Sequence, residues 1–380
     1  MNPLIYFAFI NVISSSIIPI PFEYINGKLT IQFQQSKSII TCSMSTAIKK
    51  NFIPKNYNKN SKTKRFYKDE SLGFFDSLEG KKPVSLYDDW FFINNNEFIM
   101  KYNVDPNVRE CIISLSIDQP NDESLINILY SNNKISNRGF GITFDEKNKN
   151  KGILYLGGLP EEEKKGLYSF SFKHSLITNS LEGKNWNLFM EKASIINKEN
   201  TFSKLLFYNG FIKIEKEDFV LVPPKFYRFL YEHIFGFYVK EKSCDLEYNN
   251  LVCDCKNINN INSFKSINFY FEELLIEFNV EDSFIKENDK CYFIFKQHEE
   301  DYFIFGTKFM KKYKIEFLNY KQINIYSKKE FKIDKRPFRR MIIINILKLV
   351  FKYKYSFLIG IIFIIIYSCS GKQEEKVKYY

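Results

Sequence analysis

Apolar and polar residues alternate with a period of two over much of the chain. Leu29-Thr30-Ile31-Gln32-Phe33 is one such run, and Lys314-Ile315-Glu316-Phe317 opens another that continues to Ile325. A period of two places successive side chains on opposite faces, so these runs predict half-buried β-strands. Asn26-Gly27 ahead of the first run is a hairpin-type turn signal. The polar, lysine-rich stretch from Asn51 to Lys68 reads as a surface loop. Helical spacing is confined to short segments, 124–130, 224–235 and 307–312. No repeat at a period of 20 to 50 residues is visible, which disfavours a solenoid or propeller. The pattern predicts an all-β fold with few short helices.

The two ends of the chain break this pattern. Residues 1–16 carry a short apolar core, Leu4 to Ile13, followed by Ser14-Ser15-Ser16, as a secretory signal peptide requires. A buried first strand is the alternative. Near the other end, Tyr355 to Tyr367 is uncharged and apolar, but shorter than the roughly 20 residues needed to cross a bilayer. Extension back through Leu349-Val350-Phe351 supplies the length if Lys352 and Lys354 snorkel to the headgroups. The expectation is a transmembrane helix at 355–369, a basic juxtamembrane segment at 331–354 and a short tail at 370–380. Cys369 at the membrane edge is a palmitoylation candidate.

Orientation signals conflict. The signal peptide puts the body of the protein in the lumen, yet Lys335, Arg336, Arg339, Arg340, Lys348, Lys352 and Lys354 precede the span. Only Lys372, Lys376 and Lys378 follow it, which is the reverse of the positive-inside tendency. The signal peptide takes precedence, because a chain already being translocated continues until a stop-transfer helix. The expected location is a single-pass membrane protein of the secretory pathway or cell surface, with its lobes lumenal or extracellular.

A length of 380 residues allows two domains or one bilobal unit. Phe and Tyr are abundant together with Lys, Asn and Ile, as an AT-rich coding sequence would produce, so the aromatics imply no binding surface. Much of the net charge of +11 sits in the segment from Lys332 to Lys354. With no zinc-finger spacing, RNA-binding signature or helix-turn-helix pattern, that charge points to a membrane surface rather than nucleic acid.

Cysteines occur at 42, 111, 244, 253, 255, 291 and 369. Cys253-Asp254-Cys255 has the wrong spacing for a zinc knuckle and no histidine nearby, which favours disulfides among Cys244, Cys253, Cys255 and Cys291. Four cysteines allow three connectivities. Cys42 and Cys111 are either free and buried or bonded to each other. His174, His233 and His298 form no triad or metal motif, and Gly157-Gly158 is no phosphate loop. No metal or cofactor is expected.

Several segments, taken in order, resemble the pepsin-like aspartic proteases. Phe303-Ile304-Phe305-Gly306, a short turn through Phe309-Met310 and then Tyr313 resemble the closing segment of that family. Tyr57, Ser61 and Thr63 resemble its Tyr-x-x-x-Ser-x-Thr stretch. Gly152-Ile153-Leu154-Tyr155-Leu156-Gly157-Gly158 resembles its strand ending in paired glycines, and Trp186-Asn187-Leu188 its tryptophan-containing strand. Glu110 to Ser116 stands where the family has a buried Asp-Gly-hydrophobic-hydrophobic-Gly-hydrophobic-Gly strand, with Ser114 and Ser116 in place of the two inner glycines. The resemblance covers most of residues 24–326. It implies a bilobal pepsin-like fold with lobes at 17–170 and 171–330, and the bridges Cys244–Cys253 and Cys255–Cys291.

It also implies a site. The family hydrolyses peptides with two carboxylates that share a proton and hold one water. Each comes from an Asp-Thr/Ser-Gly triplet at the end of a buried strand, one per lobe. No such triplet occurs in this sequence. In the first lobe Thr41 stands at the aspartate position and Ser43 at the glycine. In the second lobe Val220-Leu221-Val222-Pro223-Pro224 resembles the stretch that follows the triplet. Counting back from Pro224 puts Glu215 at the aspartate position, and counting from Pro223 puts Ile214 there. Glu215 also reads as a solvated charge in the run Lys213 to Asp218. Phe75 lies where the family's flap tends to carry Tyr. The expectation is a membrane-anchored, catalytically inactive pseudoprotease that binds a peptide or protein in its interlobe cleft. The alternatives are an active aspartic-type endopeptidase with atypical residues, and an unrelated β-rich lumenal adhesin or structural protein.

Overall fold

The first hairpin follows from its sequence. Strand β1 (Ile18–Ile25) buries Ile18, Ile20 and Phe22, packs Tyr24 against the same core and turns Pro19, Pro21 and Glu23 outward. Gly27 takes φ +78° in the turn, a left-handed conformation that costs glycine least. Strand β2 (Lys28–Gln35) then returns with Leu29, Ile31 and Phe33 inward. A computed structural model describes residues 16–333 of the chain, apart from 26, 36–37, 47–50, 55–63, 72–82, 94–95, 105–108, 117–122, 174–186, 198–200, 215–217, 248–249, 259–263, 272–273 and 320–321.

The first lobe continues through β3 (Ser38–Ser45), β4 (Arg65–Ser71), β5 (Pro83–Ile93), β6 (Asn96–Val104) and β7 (Cys111–Ser114). Helix α1 (Leu125–Ser131) follows, capped by the Ser124 hydroxyl, which accepts from the Asn127 N–H. Next come β8 (Gly139–Phe144), β9 (Lys151–Leu156), the short α2 (Glu161–Lys164) and β10 (Tyr168–Lys173). The second lobe holds β11 (Asn187–Asn197), β12 (Thr201–Ile212) and β13 (Val220–Val222). Helix α3 (Pro224–Leu230) opens with Pro224 at its first turn and runs through a π-turn at Tyr231–Phe235 into α4 (Gly236–Lys240). Strands β14 (Cys244–Glu247) and β15 (Asn250–Asp254), helix α5 (Cys255–Ile258), then β16 (Phe264–Phe271), β17 (Leu274–Asn279), β18 (Phe284–Glu287), β19 (Lys290–Phe293), β20 (Phe295–Gln297) and β21 (Phe303–Phe305) complete it. Helix α6 (Thr307–Met310) leads to the last hairpin, β22 (Lys314–Leu318) and β23 (Gln322–Ser327).

The strands form three sheets. In the largest, the order is β10-β23-β22-β8-β9-β1-β2-β3-β7, and β5 branches from β2 carrying β4 and β6. The last hairpin therefore pairs into the sheet of the first lobe, with Ile315 opposite Ile142 and Phe317 opposite Phe140. A second sheet includes β20-β13-β21-β12-β11-β16-β17, and a small third one is β14-β15-β19-β18.

Phenylalanine fills the part of the core around β16 and β21, which is continuous with the core under the first hairpin. The Phe269 ring lies 5.7–5.9 Å from those of Phe226, Phe278, Phe295, Phe303 and Phe305, mostly edge-on or tilted as aromatic quadrupoles prefer. All three expected helices form in place. Three disulfides form: Cys42–Cys111, Cys244–Cys253 and Cys255–Cys291. The two bridges implied by the resemblance are thus present, and the open choice for Cys42 and Cys111 resolves to a bond.

No helix among the described residues is long and apolar enough to cross a membrane. The expected signal peptide lies almost wholly outside the described residues. So do the juxtamembrane segment beyond Ile333, the span at 355–369, Cys369, the Tyr57–Thr63 stretch and Phe75.

Candidate functional site: paired strand ends

Each lobe builds the same device at the end of one long strand. In the first lobe β3 runs parallel to β7, with Cys42 beside Cys111 and Ser45 beside Ser114. Leu115 N–H donates to Ser45 O at 2.8 Å, and Ser43 Oγ donates to Cys111 O at 3.2 Å. The chain then returns as Asn51 to Pro54 between β6 and β7. Phe52 exchanges both backbone hydrogen bonds with Ile112, at 2.8 and 2.9 Å, while Ile53 N–H donates to Asn103 O.

Asn51 locks this return. It is fully buried, and its Oδ1 accepts from Ser114 N–H at 2.9 Å while its Nδ2 donates to Lys101 O and Glu123 O at 3.2 and 2.6 Å. An amide suits the place because it is donor and acceptor at once.

In the second lobe β12 runs parallel to β21, with Ile212 beside Phe305. Lys213 N–H donates to Phe305 O, and β13 returns antiparallel to β21 and parallel to β20. Pro54 lies nine residues after Ser45, and Pro223 nine after Ile214. The two devices are therefore equivalent in pairing and in spacing.

The sequence expectation for Thr41 needs correction. Thr41 is exposed in mid-strand, opposite Gln32, and β3 continues past it to Ser45. The buried hydroxyls at the strand end belong to Ser45 and Thr46, which are 6% and 3% exposed. Strand β7 begins alongside β3 only at Cys42, so the outer side closes beyond Thr41. Glu215 lies outside the described residues, whereas Ile214 is fully buried. Among the described residues no group of three His, Cys, Asp or Glu side chains could hold a metal ion.

A polar chain ties the second-lobe device to β1. Thr307 Oγ1 lies 2.9 Å from Asp218 Oδ1 and 3.0 Å from Tyr24 Oη. Thr307 has one proton, so it donates to the carboxylate and accepts from the tyrosine. Lys311 Nζ holds the other carboxylate oxygen at 2.9 Å and sits over the Tyr24 ring at 4.0 Å. Buried Thr307 and half-buried Lys311 both come from the turn that follows Gly306.

A second network sits under the last hairpin. Glu316, 2% exposed, accepts from Leu159 N–H, Asn324 Nδ2 and Tyr326 Oη at 2.8, 2.8 and 2.9 Å, with Lys164 Nζ at 3.3 Å. A buried carboxylate is tolerated only when so satisfied. Burial, and then the Glu316 carboxylate beside it, push the Tyr326 phenol above its ordinary range. Sequence reading missed Glu316. Its one signal is an acidic residue placed between two core residues, Ile315 and Phe317.

The eukaryotic aspartyl protease family model matches residues 112–325. The match spans more than half the chain and takes in β21 and all of β7 except Cys111. No curated protein matches the chain. The chain belongs to the eukaryotic aspartyl protease family.

Proposed function

We propose that this protein is a membrane-anchored family member that binds a peptide or protein between its lobes without hydrolysing it. The observation that carries the reading is the identity of the buried strand-end residues, Ser45 and Thr46 in the first lobe. The family's reaction needs a carboxylate there to deprotonate water, and a serine or threonine hydroxyl is no base between acidic and neutral pH. At the equivalent second-lobe position Ile214 offers no ionisable group, and in the adjacent register Glu215 would be a lone carboxylate. One carboxylate cannot serve as both the base for water and the acid for the leaving amine. Removing one member of a catalytic unit costs several orders of magnitude in rate. Anchoring follows from the apolar segment at 355–369 and the signal-like residues 1–16.

The test is hydrolysis of a mixed peptide library by the purified full-length chain from acidic to neutral pH, with and without pepstatin. No pepstatin-sensitive turnover is expected. Pepstatin-inhibited cleavage would overturn the proposal and establish an active endopeptidase with atypical residues.

A further inference from the structure

A cleft of about 670 Å³ opens beside the last hairpin, a volume in the range of small-molecule sites. Its walls are the turn between β8 and β9, the turn from α6 into β22, the end of β17 with the 3₁₀ turn Glu281–Ser283, and the chain after β23 as far as Lys332. Seven lysines and six carboxylates line it, so the cleft is close to neutral. Most of these charges are committed. Lys328 pairs with Glu146, Lys332 with Glu277 and Lys312 with Asp282, while Lys311 and Lys314 reach Asp218 and Glu163 outside the lining. Asp145 accepts from the N–H groups of Lys147 and Asn148 in its own turn. The remainder is balanced in sign. The side chains of Lys149, Lys329, Glu281 and Glu330 have no partner among the described residues.

Tyr313 adds a fifth uncommitted group. It lines the cleft with its ring between those of Phe309 and Phe331, at 5.4 and 6.1 Å. Burial, and then the Asp282 and Glu277 carboxylates, push its phenol above the ordinary range. Its hydroxyl nevertheless has no hydrogen-bond partner among the described residues. A desolvated tyrosine hydroxyl ordinarily finds an acceptor, but the two carboxylates nearby are each held by a lysine instead. The cleft therefore holds three donors without an acceptor and two carboxylates without a donor.

We propose that this cleft binds a phosphoethanolamine headgroup, its phosphate facing Lys149, Lys329 and the Tyr313 hydroxyl and its ammonium facing Glu281 and Glu330. A ligand of a single sign would satisfy only one set of these groups. A phosphate has oxygens enough for three donors, and a primary ammonium has N–H groups for two carboxylates. A quaternary ammonium has no N–H to donate, so phosphocholine satisfies the phosphate side alone. The headgroup is either free or carried by a lipid. Only the lipid source rests on the anchoring proposed above, since the chain leaves the cleft at Lys332 and continues to the apolar segment at 355–369. Headgroup binding itself goes beyond the peptide-binding reading and stands or falls without it.

The experiment is titration calorimetry on the purified full-length chain in a non-ionic detergent. The probes are O-phosphoethanolamine, dihexanoyl phosphatidylethanolamine and dihexanoyl phosphatidylcholine. Saturable binding of an ethanolamine probe is expected, with the choline lipid roughly tenfold weaker or worse, as the loss of hydrogen bonds to charged groups implies. Equal affinity for the soluble and lipid ethanolamine probes supports a free headgroup, and tighter binding of the lipid supports a membrane source. Tyr313→Phe should weaken binding about tenfold yet leave the urea midpoint unchanged, because the hydroxyl it removes holds nothing in the fold. Glu281→Gln with Glu330→Gln should erase the preference for ethanolamine over choline. No saturable binding of either ethanolamine probe, equal affinity for the choline lipid, or a Tyr313→Phe variant that binds like the wild type would overturn the proposal.

Discussion

Gly158 and Glu316 are fitted to one another across the central sheet. Gly158 has φ +111°, and a Cβ built on it would lie 2.8 Å from Glu316 Oε1. The second of the paired glycines thus leaves room for a buried carboxylate and adopts a backbone conformation that L-residues disfavour. Gly158→Ala should destabilise the fold by about 2 kcal/mol or more, from the left-handed backbone and the crowding together. Glu316→Ala should cost about 3 kcal/mol, since it strands several buried donors. Urea unfolding midpoints of the two variants check both values.

The bridge between β3 and β7 should stabilise strongly. Cys42 and Cys111 are separated by 69 residues, and closing a loop of that size contributes about 2–4 kcal/mol by restricting the unfolded chain. The double variant Cys42→Ala/Cys111→Ala should unfold at correspondingly lower urea. Peptide mapping without reduction should recover all three bridges.

Glu163 links stability to pH. Burial raises its carboxyl, yet the hydrogen bonds from Lys314 Nζ at 2.6 Å and Tyr155 Oη at 2.8 Å outweigh that and leave it below the ordinary range. A group depressed in the folded state contributes stability above its unfolded-state value, and that part is lost as pH falls through the folded-state value. The unfolding midpoint should therefore drop on acidification, and Glu163→Gln should flatten part of the drop. A Glu163→Gln curve parallel to the wild type would contradict this.

Returning one carboxylate should not create a protease. Ser45→Asp supplies the first-lobe acid but leaves Ile214, and Thr41→Asp adds a charge on the exposed part of β3. Neither variant should gain pepstatin-sensitive turnover in the library assay.

Topology follows from the proposed anchoring. In microsomes, a tag after Tyr380 should be digested by added protease while the lobes are protected. A protected tag with digested lobes would reverse the orientation.

Much of this architecture can be read from sequence because it is written in periodicity. The alternations at Leu29–Phe33 and Lys314–Ile325, the three helices and the paired glycines all appear where the pattern puts them. The strand end does not, and β3 shows why. Thr41, Ser43 and Ser45 are small polar residues spaced by two, so a register shift of two or four preserves the pattern and changes only which hydroxyl lies at the end. The fixed distance from Ser45 to Pro54, matched by Ile214 to Pro223, is the signal that resolves it. Glu316 stays hidden for another reason. One acidic residue in a strand ordinarily faces water, and only the partners assembled from β23, α2 and Leu159 make its burial affordable.

The position of the last hairpin bears on how the chain is made. Strand β22 lies against β8, so Gly139–Phe144 must wait for Lys314–Leu318 before its second neighbour exists. During synthesis the first half therefore emerges with an unzipped margin, and more than half of the described chain follows before that margin closes. Such late, sequence-distant pairing slows folding and leaves a sticky border open to aggregation in the interval. A ribosome-stalled or truncated product ending before β22 should accordingly need chaperone protection that the finished protein does not.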